Sequence, residues 1–225
     1  MGQTQGQMQE IVVDQRRLQL LPEKAVYVEE MRSLLVSDLH LGKSETFQRY
    51  GLPVSSQVNQ ATLQRLEQAC DRVKPDYLWI LGDLFHAREG LVDEVIDGWL
   101  KFLHRTQVTA YLVLGNHDRP LPDLFNQLTL VCFTESVATH GLILSHEPYP
   151  GSSQLNICGH IHPCVRLKSR LDTLRLPCFY WEPRLKRLTL PSFGDFTGGY
   201  EVPLSRQTVA YVVAEDQVVP LNGDG

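Results

Sequence analysis

Five apolar runs of this sequence each end in a short tract of aspartate, asparagine or histidine residues, which are side chains that bind metal ions. The tracts occupy residues 37–40, 82–86, 115–118, 145–148 and 159–162. In open α/β sheets, ligands bind outside the carboxyl ends of the strands. If the apolar runs are strands of such a sheet, the polar tracts meet at one edge of it and form a single site.

The spacing within these tracts suits the coordination of a metal ion. In an extended chain, residues i and i+2 point to the same side, so Asp38 can act together with His40, and His160 with His162. A glycine stands just before the ligands in three tracts, where a backbone must turn sharply or approach another segment closely.

Together the tracts supply more oxygen and nitrogen ligands than one metal ion needs. The candidate ligands are Asp38, His40, Asp83, Asn116, His146, His160 and His162. This number fits two divalent ions that share one bridging carboxylate. Because no cysteine is among them, the set favours Mn, Fe, Ni or catalytic Zn over a structural zinc.

The distribution of histidine argues against a purely structural role for these residues. The chain has eight histidines, and only His104 and His140 lie outside the tracts. A single histidine in a core is usually a structural residue whose ring nitrogens are hydrogen-bonded. Chance placement is a poor explanation for the concentration of all the others at strand ends.

Hydrophobic periodicity predicts alternating strands and helices in the first half of the chain. Strands are expected at 33–36, 77–81 and 108–114, and amphipathic helices at 54–73 and 91–105. This order is typical of a mostly parallel sheet. From residue 137 onward, short β-like runs dominate. We therefore predict an α/β fold in which two mixed β-sheets pack face to face with flanking helices.

Length, charge and cysteine content exclude several classes of protein. We expect one domain over residues 1–225, with about 1–10 and 216–225 as flexible tails. The net charge of -5 excludes a strongly basic DNA-coating protein. No apolar run is long enough for a membrane span, and no secretory signal is present. Five cysteines without a CxxC pair indicate reduced thiols and a cytoplasmic protein.

The order of the polar motifs resembles that of the calcineurin-like metallophosphoesterase superfamily, which implies an α/β/β/α sandwich with two metal ions. The motifs are Asp-x-His at 38–40, Gly-Asp at 82–83, Gly-Asn-His-Asp at 115–118, a later histidine at 146, and Gly-His-x-His at 159–162. By this resemblance one ion is held by Asp38, His40 and His162, and the other by Asn116, His146 and His160. Asp83 bridges them, and His117 lies near the substrate phosphate without being a ligand.

A closer resemblance links the chain to the ligase-associated DNA-damage-response metallophosphoesterases of prokaryotes. It rests on DLHLGK at 38–43, GLP at 51–53, GHIHP at 159–163, LPSFG at 190–194 and FTGG at 196–199. The resemblance implies a manganese-dependent phosphodiesterase or endonuclease that acts in DNA repair. It also implies association with a DNA ligase and a helicase.

Two positions distinguish branches of the superfamily. Phosphoprotein phosphatases typically have aspartate where this chain has His86, and histidine there resembles the nuclease branch, in which the residue contacts the phosphate or the leaving group. A surface histidine is the alternative. Lipid-precursor pyrophosphatases usually have arginine in place of His117. Both positions favour a nuclease.

These inferences predict a two-metal-dependent phosphodiesterase that cleaves DNA or RNA. Two ions lower the pKa of a shared water and so provide a hydroxide nucleophile. His117 then stabilises the transition state or protonates the leaving oxygen. The alternative is a small-molecule phosphatase or a nucleotide pyrophosphatase. A non-catalytic scaffold is expected to have lost ligands, and none is missing here.

Substrate contacts are expected on basic side chains. Lys43 and Arg49 lie in the predicted loop after His40, where they either reach phosphates or remain solvated. Residues 165–187 carry seven basic and two acidic side chains with interleaved aromatic residues. This basic strip suits single-stranded nucleic acid, or is simply the water-facing side of a sheet. The glycine-rich segment 193–200 is expected to pack near the site.

Overall fold

The first sheet contains the three strands predicted for the first half of the chain. The structure, a computed structural model, describes residues 6–121, 125, 127–151, 153–168, 173–195 and 197–223. The strands of this sheet lie in chain order: β1 (Gln9–Val13), β2 (Arg16–Leu21), β3 (Ala25–Val28), β4 (Ser33–Val36), β5 (Tyr77–Leu81), β6 (Thr109–Val113) and β7 (Leu130–Phe133). β1 to β4 are antiparallel, whereas β4 to β7 are parallel.

Helices connect the parallel strands of this sheet. α1 (Lys43–Arg49) and α2 (Gln57–Val73) lie between β4 and β5, and α3 (Asp93–Thr106) lies between β5 and β6. The helices predicted at 54–73 and 91–105 are therefore confirmed to within a few residues. Both α2 and α3 end at a residue in the left-handed conformation, Lys74 and Gln107, whose amide bonds the last turn.

The second sheet is built from the short strands of the second half. These are β8 (Val137–Thr139), β9 (Leu142–Leu144), β10 (Leu155–Cys158), β11 (Pro163–Lys168), β12 (Thr173–Glu182), β13 (Arg187–Thr189), β14 (Tyr200–Glu201), β15 (Val209–Ala214) and β16 (Gln217–Asn222). The order is β14-β11-β12-β13-β10-β9-β8, and β15 joins β12 to β16. β9, β10 and β13 are parallel, whereas β12 is antiparallel to its neighbours.

The two sheets pack face to face through a shared apolar layer. Leu35 and Leu81 of the first sheet belong to the same buried cluster as Ile157 and Phe179 of the second. Leu34, next to Leu35 in β4, points the other way, into the cluster that α2 and α3 cover. Because β4 to β6 are buried on both faces, they appear in the sequence as continuous apolar runs.

The fold class predicted from the sequence is confirmed, with one difference in its outer layer. The described α-helices all lie between residues 43 and 106, and they cover the first sheet. The outer face of the second sheet carries a smaller cluster, in which Val165, Tyr180 and Ala210 pack with Val202 from the segment after β14. Within the described residues, a loop rather than a helix covers this face.

The expected tails need correction where the structure describes them. Gln9 and Glu10 belong to β1, and residues 217–222 form β16, which pairs with β15. An isolated bridge between Gln7 and Gln217 joins the two ends. The backbone hydrogen bonds of the sheet therefore hold segments that composition alone suggested were loose. The remaining residues of the predicted tails, 1–5 and 224–225, lie outside the described residues.

The cysteines and the helices of the described structure have two further properties. All five cysteines are free, and four of them are buried. None of the helices in the described part of the chain has the length and apolar character needed to cross a membrane.

Candidate metal centre

The polar tracts converge at one end of the two sheets. The parallel strands β4, β5 and β6 bring their carboxyl ends side by side. The amide of Asp38 donates to the oxygen of Gly82 at 3.0 Å, and the amide of Gly159 donates to the oxygen of His146 at 2.9 Å. These backbone bonds join neighbouring tracts within each sheet, so the geometry brings the candidate ligands together.

One group of ligand atoms joins the first tract to the last. Asp38, His40 and His162 each present a ligand atom, and these atoms all lie within 4.8 Å of one another. Nε2 of His162 lies 3.2 Å from Oδ1 of Asp38 without hydrogen-bond geometry. Both atoms are buried and have no hydrogen-bond partner among the described residues. Buried polar atoms in this state are costly unless another group, such as a cation, satisfies them.

A second group of ligand atoms surrounds His146. Its Nε2 lies 3.0 Å from Oδ1 of Asn116, 3.0 Å from Nδ1 of His160 and 3.6 Å from Oδ2 of Asp83. Nδ1 of His146 is 2.9 Å from the oxygen of Leu81. Because a carbonyl only accepts, Nδ1 carries the proton and the neutral ring keeps its lone pair on Nε2. Lone pairs therefore converge on one point, which fits a bound cation.

Asp83 lies between the two groups. Its Oδ2 is 3.6 Å from Nε2 of His146 and 3.9 Å from Nε2 of His40. Its Oδ1 accepts a hydrogen bond from the amide of His117 at 3.0 Å. One carboxylate oxygen thus faces a ligand nitrogen of each group, which is the position that a bridging ligand needs.

Backbone carbonyls set the orientation of the histidine rings. Nδ1 of His162 donates to the oxygen of Gly198 at 3.1 Å, as Nδ1 of His146 does to its own carbonyl partner. Each ring then presents Nε2 to the site. Hydrogen bonds of this kind fix the tautomer and the direction of histidine ligands in metal sites. Gly198 belongs to the glycine-rich segment, which lies beside the site as predicted.

The ligand pairs do not lie on extended backbone. Left-handed φ angles occur at Asp38 (56°), His40 (50°), Asp83 (53°), His160 (72°) and His162 (50°). The expectation that i and i+2 share a face of an extended chain is therefore wrong in its geometry. The backbone bends at each ligand instead, and the bends direct the side chains into the site. Such conformations are unfavourable for these residue types and persist where the surrounding structure holds them.

Two glycines leave the space that the ligands occupy. A Cβ atom on Gly82, which has a φ of +86°, would lie 2.0 Å from Nδ1 of His146. A Cβ atom on Gly115 would lie 2.1 Å from Oδ1 of Asp83. Each glycine of one tract thus makes room for a ligand of another, which explains why a glycine precedes the ligands.

Asp118 organises the centre without belonging to the predicted ligands. It is fully buried, and its carboxylate accepts hydrogen bonds from the amides of Asp83, Phe85 and Gly115 at 2.7, 3.3 and 3.0 Å. Burial raises the pKa of its carboxyl to about 6. The residue ends the Gly-Asn-His-Asp motif, so its position was visible in the sequence, although its role was not.

His117 and His86 form a stacked pair at the rim of the centre. Their ring centroids are 5.0 Å apart with an interplanar angle of 24°. Both rings contact the ring of His40 edge-on, at 5.0 and 5.4 Å. The structure therefore places both predicted catalytic histidines beside the ligands and half-buried.

The two predicted substrate-binding cations lie on a helix rather than in a loop. Lys43 begins α1, and its ammonium lies 5.7 Å from the ring of Phe47, which in turn contacts the ring of His86 at 5.9 Å. Burial, and then the charge of Lys43, lowers the pKa of His86 to about 4. Arg49 ends α1, about 9 Å away along the helix axis. It is exposed and lines a separate groove with Glu45 and Glu94. The structure thus brings Lys43 to the centre, and it places Arg49 elsewhere.

The electrostatics of the centre keep its ligands available. Burial lowers the pKa of His40 to about 2, so its ring is neutral at physiological pH. Burial alone would raise the pKa of Asp38, but the rings of His162, His146 and His40 outweigh this effect and hold it below its usual value. An ionised Asp38 beside the neutral ring of His40 suits a divalent ion, whereas at His162 burial is outweighed by the charge of Asp38, which raises the pKa of the ring above its usual value.

The comparison with protein families identifies the family of the chain. The sequence model of the calcineurin-like phosphoesterase family matches residues 31–156, which span the elements from β4 to β10. The chain belongs to the calcineurin-like phosphoesterase family. The resemblance inferred from the motifs is thus confirmed, and the phosphoesterase is a hydrolase whose family uses divalent metals.

Two solved structures resemble this phosphoesterase to different degrees. The Pseudomonas putida nuclease MPE is 32% identical, with a TM-score of 0.82, over 95% of this chain and 100% of that chain. Yfce, a phosphoesterase from E. coli, is 15% identical, with a TM-score of 0.44, over 84% of this chain and 97% of that chain. A comparison with the curated proteins gives no match.

Proposed function

We propose that this phosphoesterase is a two-metal-dependent phosphodiesterase that cleaves nucleic acid. The observation that carries the proposal is the position of Asp83, whose Oδ2 faces His146 at 3.6 Å and His40 at 3.9 Å. A single metal site does not need two sets of ligands that meet at one carboxylate oxygen. A pair of ions 3.5–4 Å apart does.

The side chains present fit two divalent cations. Asp38, His40 and His162 would hold one ion, and Asn116, His146 and His160 the other, with Asp83 shared. When bound, such ions lower the pKa of a water molecule and stabilise negative charge on phosphoryl oxygens. Manganese suits this mixture of imidazole, carboxylate and amide ligands, and iron, nickel or zinc are the alternatives.

His117 is proposed to deliver a proton to the leaving oxygen. Its Nδ1 donates to the main-chain oxygen of His86, which leaves Nε2 as the atom that exchanges protons with the substrate. The amide of His117 also bonds Asp83, so the ring is fixed relative to the proposed bridging ligand. A positioned acid matters most for a poor leaving group, such as the sugar alkoxide of a nucleic acid.

His86 and Lys43 are proposed to contact the substrate beside the centre. The half-buried ring of His86 lies beside His117 and His40, and its Nδ1 has no hydrogen-bond partner among the described residues, so a phosphate oxygen or the leaving group would complete its hydrogen bonding. Lys43 has its ammonium over the ring of Phe47 at 5.7 Å and makes no ion pair in the described structure. Both groups would approach the anion from the same side.

The choice of nucleic acid as substrate rests on similarity. The Pseudomonas putida protein of 32% identity is a nuclease, and it matches almost the whole chain. A role in DNA repair, association with a DNA ligase and a helicase, and a cytoplasmic location are part of the same proposal. They are supported by the motifs shared with the ligase-associated family. The alternative substrate class is small phosphomonoesters or nucleotides.

The proposal is tested by ranking substrates with Mn²⁺ present. The protein is expected to cleave bis-p-nitrophenyl phosphate faster than p-nitrophenyl phosphate, and to cleave short single-stranded DNA. The same protein treated with EDTA is the control. Preference for the monoester, together with intact DNA, contradicts the proposal and supports a small-molecule phosphatase.

A further inference from the structure

A cavity opens directly beside the candidate metal centre. It has a volume of about 320 Å³, and His162 forms part of its wall. Lys24 and Arg175 line it together with Gly194 and Gly199. This volume is at the lower end of the range for ligand sites, so the cavity takes one small group and not a long stretch of polymer. Two cations and a candidate metal ligand thus share one small space.

Lys24 is held in the cavity wall by an ionic cluster. Its Nζ donates to Oδ1 of Asp195 at 3.3 Å, and Arg65 donates to both oxygens of Asp195 at 3.2 Å. Two cations share one carboxylate, so the cluster has an excess positive charge. An ammonium carries three N–H donors. One of those of Lys24 reaches Asp195, and the ammonium lies 6.0 Å from the ring of Phe193, but the other donors have no hydrogen-bond acceptor in the described part of the chain.

Arg175 contributes a second cation from β12. Its side chain is exposed, and among the described residues it forms no ion pair. The residue opposite it on β11 is Arg166, whose guanidinium pairs instead with Glu201 at 2.7 Å. The guanidinium of Arg175 lines the cavity, where it can bind an anion bidentately, as arginine does with phosphate.

The rest of the basic strip is not equivalent to Arg175. Lys186 pairs with Asp14 at 2.8 Å, and Arg187 pairs with Glu182 at 2.7 Å. Of the three aromatic residues interleaved in the strip, Phe179 and Tyr180 are buried in the core, and Trp181 is partly buried against it. The described part of the strip is thus no continuous surface for nucleic acid. Arg175 differs from the other described cations of the strip because it lines the cavity.

We propose that the cavity between Lys24 and Arg175 is a subsite for the phosphate of the nucleotide next to the scissile bond. The proposal rests on the proposed function, since it assumes that a phosphodiester lies at the metal centre. A strand whose scissile phosphate contacts the centre at His162 then places a neighbouring phosphate within reach of the adjoining cavity. The ligand class is therefore a nucleic acid strand with at least two phosphates.

The backbone of the cavity is shaped for close approach of a ligand. Gly194 packs on the segment after β4, where an added Cβ would lie 2.3 Å from the oxygen of Leu39. Its amide donates to the oxygen of Asp38 at 3.0 Å. The cavity wall is thus attached directly to a candidate ligand, so the distance between the subsite and the centre is fixed by backbone bonds.

The experiment compares d(TpT), which has one phosphate, with d(TpTpT), in which each phosphate has a neighbour. For Arg175→Ala, kcat/KM is expected to fall about tenfold on the trinucleotide, the worth of one good phosphate contact, and to stay within twofold on the dinucleotide. Arg184→Ala removes an exposed arginine of the same strip away from the cavity, and it is expected to change neither value. For the same variant, the affinity for d(TpTpT) is measured by fluorescence anisotropy at several salt concentrations. The slope of log K against log[salt] is expected to decrease in magnitude by about 0.7, as the loss of one phosphate contact to a single strand predicts.

The outcomes separate the subsite from the proposed function. Equal loss on both substrates, or loss on neither, overturns the subsite while the diesterase assignment stands. If the wild-type protein cleaves neither short substrate, the anisotropy measurement decides, and trinucleotide binding by Arg175→Ala that equals that of Arg184→Ala overturns the subsite. The proposed function itself fails only if the wild-type protein also leaves bis-p-nitrophenyl phosphate and short single-stranded DNA intact.

Discussion

Nδ1 of His117 lies 2.6 Å from the main-chain oxygen of His86, and the two rings stack with centroids 5.0 Å apart. A carbonyl thus fixes the tautomer of His117, which leaves Nε2 for the substrate. Because the main-chain oxygen of His86 makes this hydrogen bond, the imidazole ring of His86 is not needed for it and lies beside the centre. In the proposed mechanism, the pair combines a positioned proton donor with a second group beside the phosphate.

Removal of the His117 ring is expected to affect turnover and not metal binding. In His117→Ala, kcat on DNA is expected to fall about 10²–10⁴-fold, the usual contribution of a general acid. The loss on bis-p-nitrophenyl phosphate is expected to be smaller, because p-nitrophenolate needs little protonation. Steady-state kinetics on both substrates, with metal content by mass spectrometry, measure this. His104→Ala, in the last turn of α3, is the control, and a drop in bound metal would show that His117 is a ligand.

Gly82→Ala tests whether the glycines leave space for ligands. The added methyl group would collide with the ring of His146, so we expect loss of bound metal and destabilisation of about 1–3 kcal/mol. Gly51→Ala is a matched control, because Gly51 also has a positive φ, of +79°, but its Cβ would meet nothing within 4 Å. Urea unfolding and metal analysis of the two variants separate collision from backbone strain. Equal effects of both changes would contradict the explanation by collision.

Lys43→Met is expected to weaken substrate binding. Because the ammonium is near His86 and has no ion pair in the described structure, we expect KM for DNA to rise severalfold while kcat changes little. Lys101→Met removes an exposed lysine of α3 and is expected to change neither constant. Initial-rate kinetics at fixed ionic strength provide the measurement. A fall in kcat without a change in KM would assign Lys43 to the chemical step.

The buried ammonium of Lys24 predicts a rise of stability with pH. Burial, and then the charge of Arg65, lowers the pKa of Lys24 from 10.5 to about 8. Between these values the unfolded chain binds more protons than the folded one, so the free energy of unfolding increases as pH rises from 8 towards 10.5. The slope is at most about 1.4 kcal/mol per pH unit.

Lys24→Met should remove this dependence. The free energy of unfolding by urea is measured at pH 7.5 and 9.5 in EDTA for the wild-type protein and for Lys24→Met. All other groups titrate in both proteins, so the difference between the two isolates the contribution of Lys24. A difference between the two proteins that does not change with pH would contradict the assignment.

The sequence predicts that the candidate ligands meet at one site, and the structure brings them together, because their signal is local. Each ligand lies within a few residues of a buried strand, and strands such as β4 and β5 are continuous apolar runs that need no partner to be recognised. The left-handed backbone at Asp38 and His160 could not be predicted in this way. It is imposed by hydrogen bonds such as the one from the amide of His160 to Oδ2 of Asp38, between residues distant in sequence.

The missed features depend on pairing between distant segments. β16 contains Pro220 and was expected to be a tail, yet β15 stabilises it as an edge strand, where proline is tolerated. The basic strip appeared uniform, whereas Glu201 and Asp14 neutralise parts of it, and Arg175 forms no ion pair with the residues that the structure describes. Composition does not reveal which charges find partners, because those partners come from other strands.

The stoichiometry of bound manganese tests the shared role of Asp83 most directly. Protein dialysed against Mn²⁺ and freed of excess metal is expected to contain two ions per wild-type chain, and the same number in the control Asp97→Asn on α3. Asp83→Ala is expected to keep at most one ion and to lose activity on bis-p-nitrophenyl phosphate, since both groups of ligands meet at its Oδ2. An Asp83→Ala protein that binds two ions and remains active would contradict the proposed dinuclear centre.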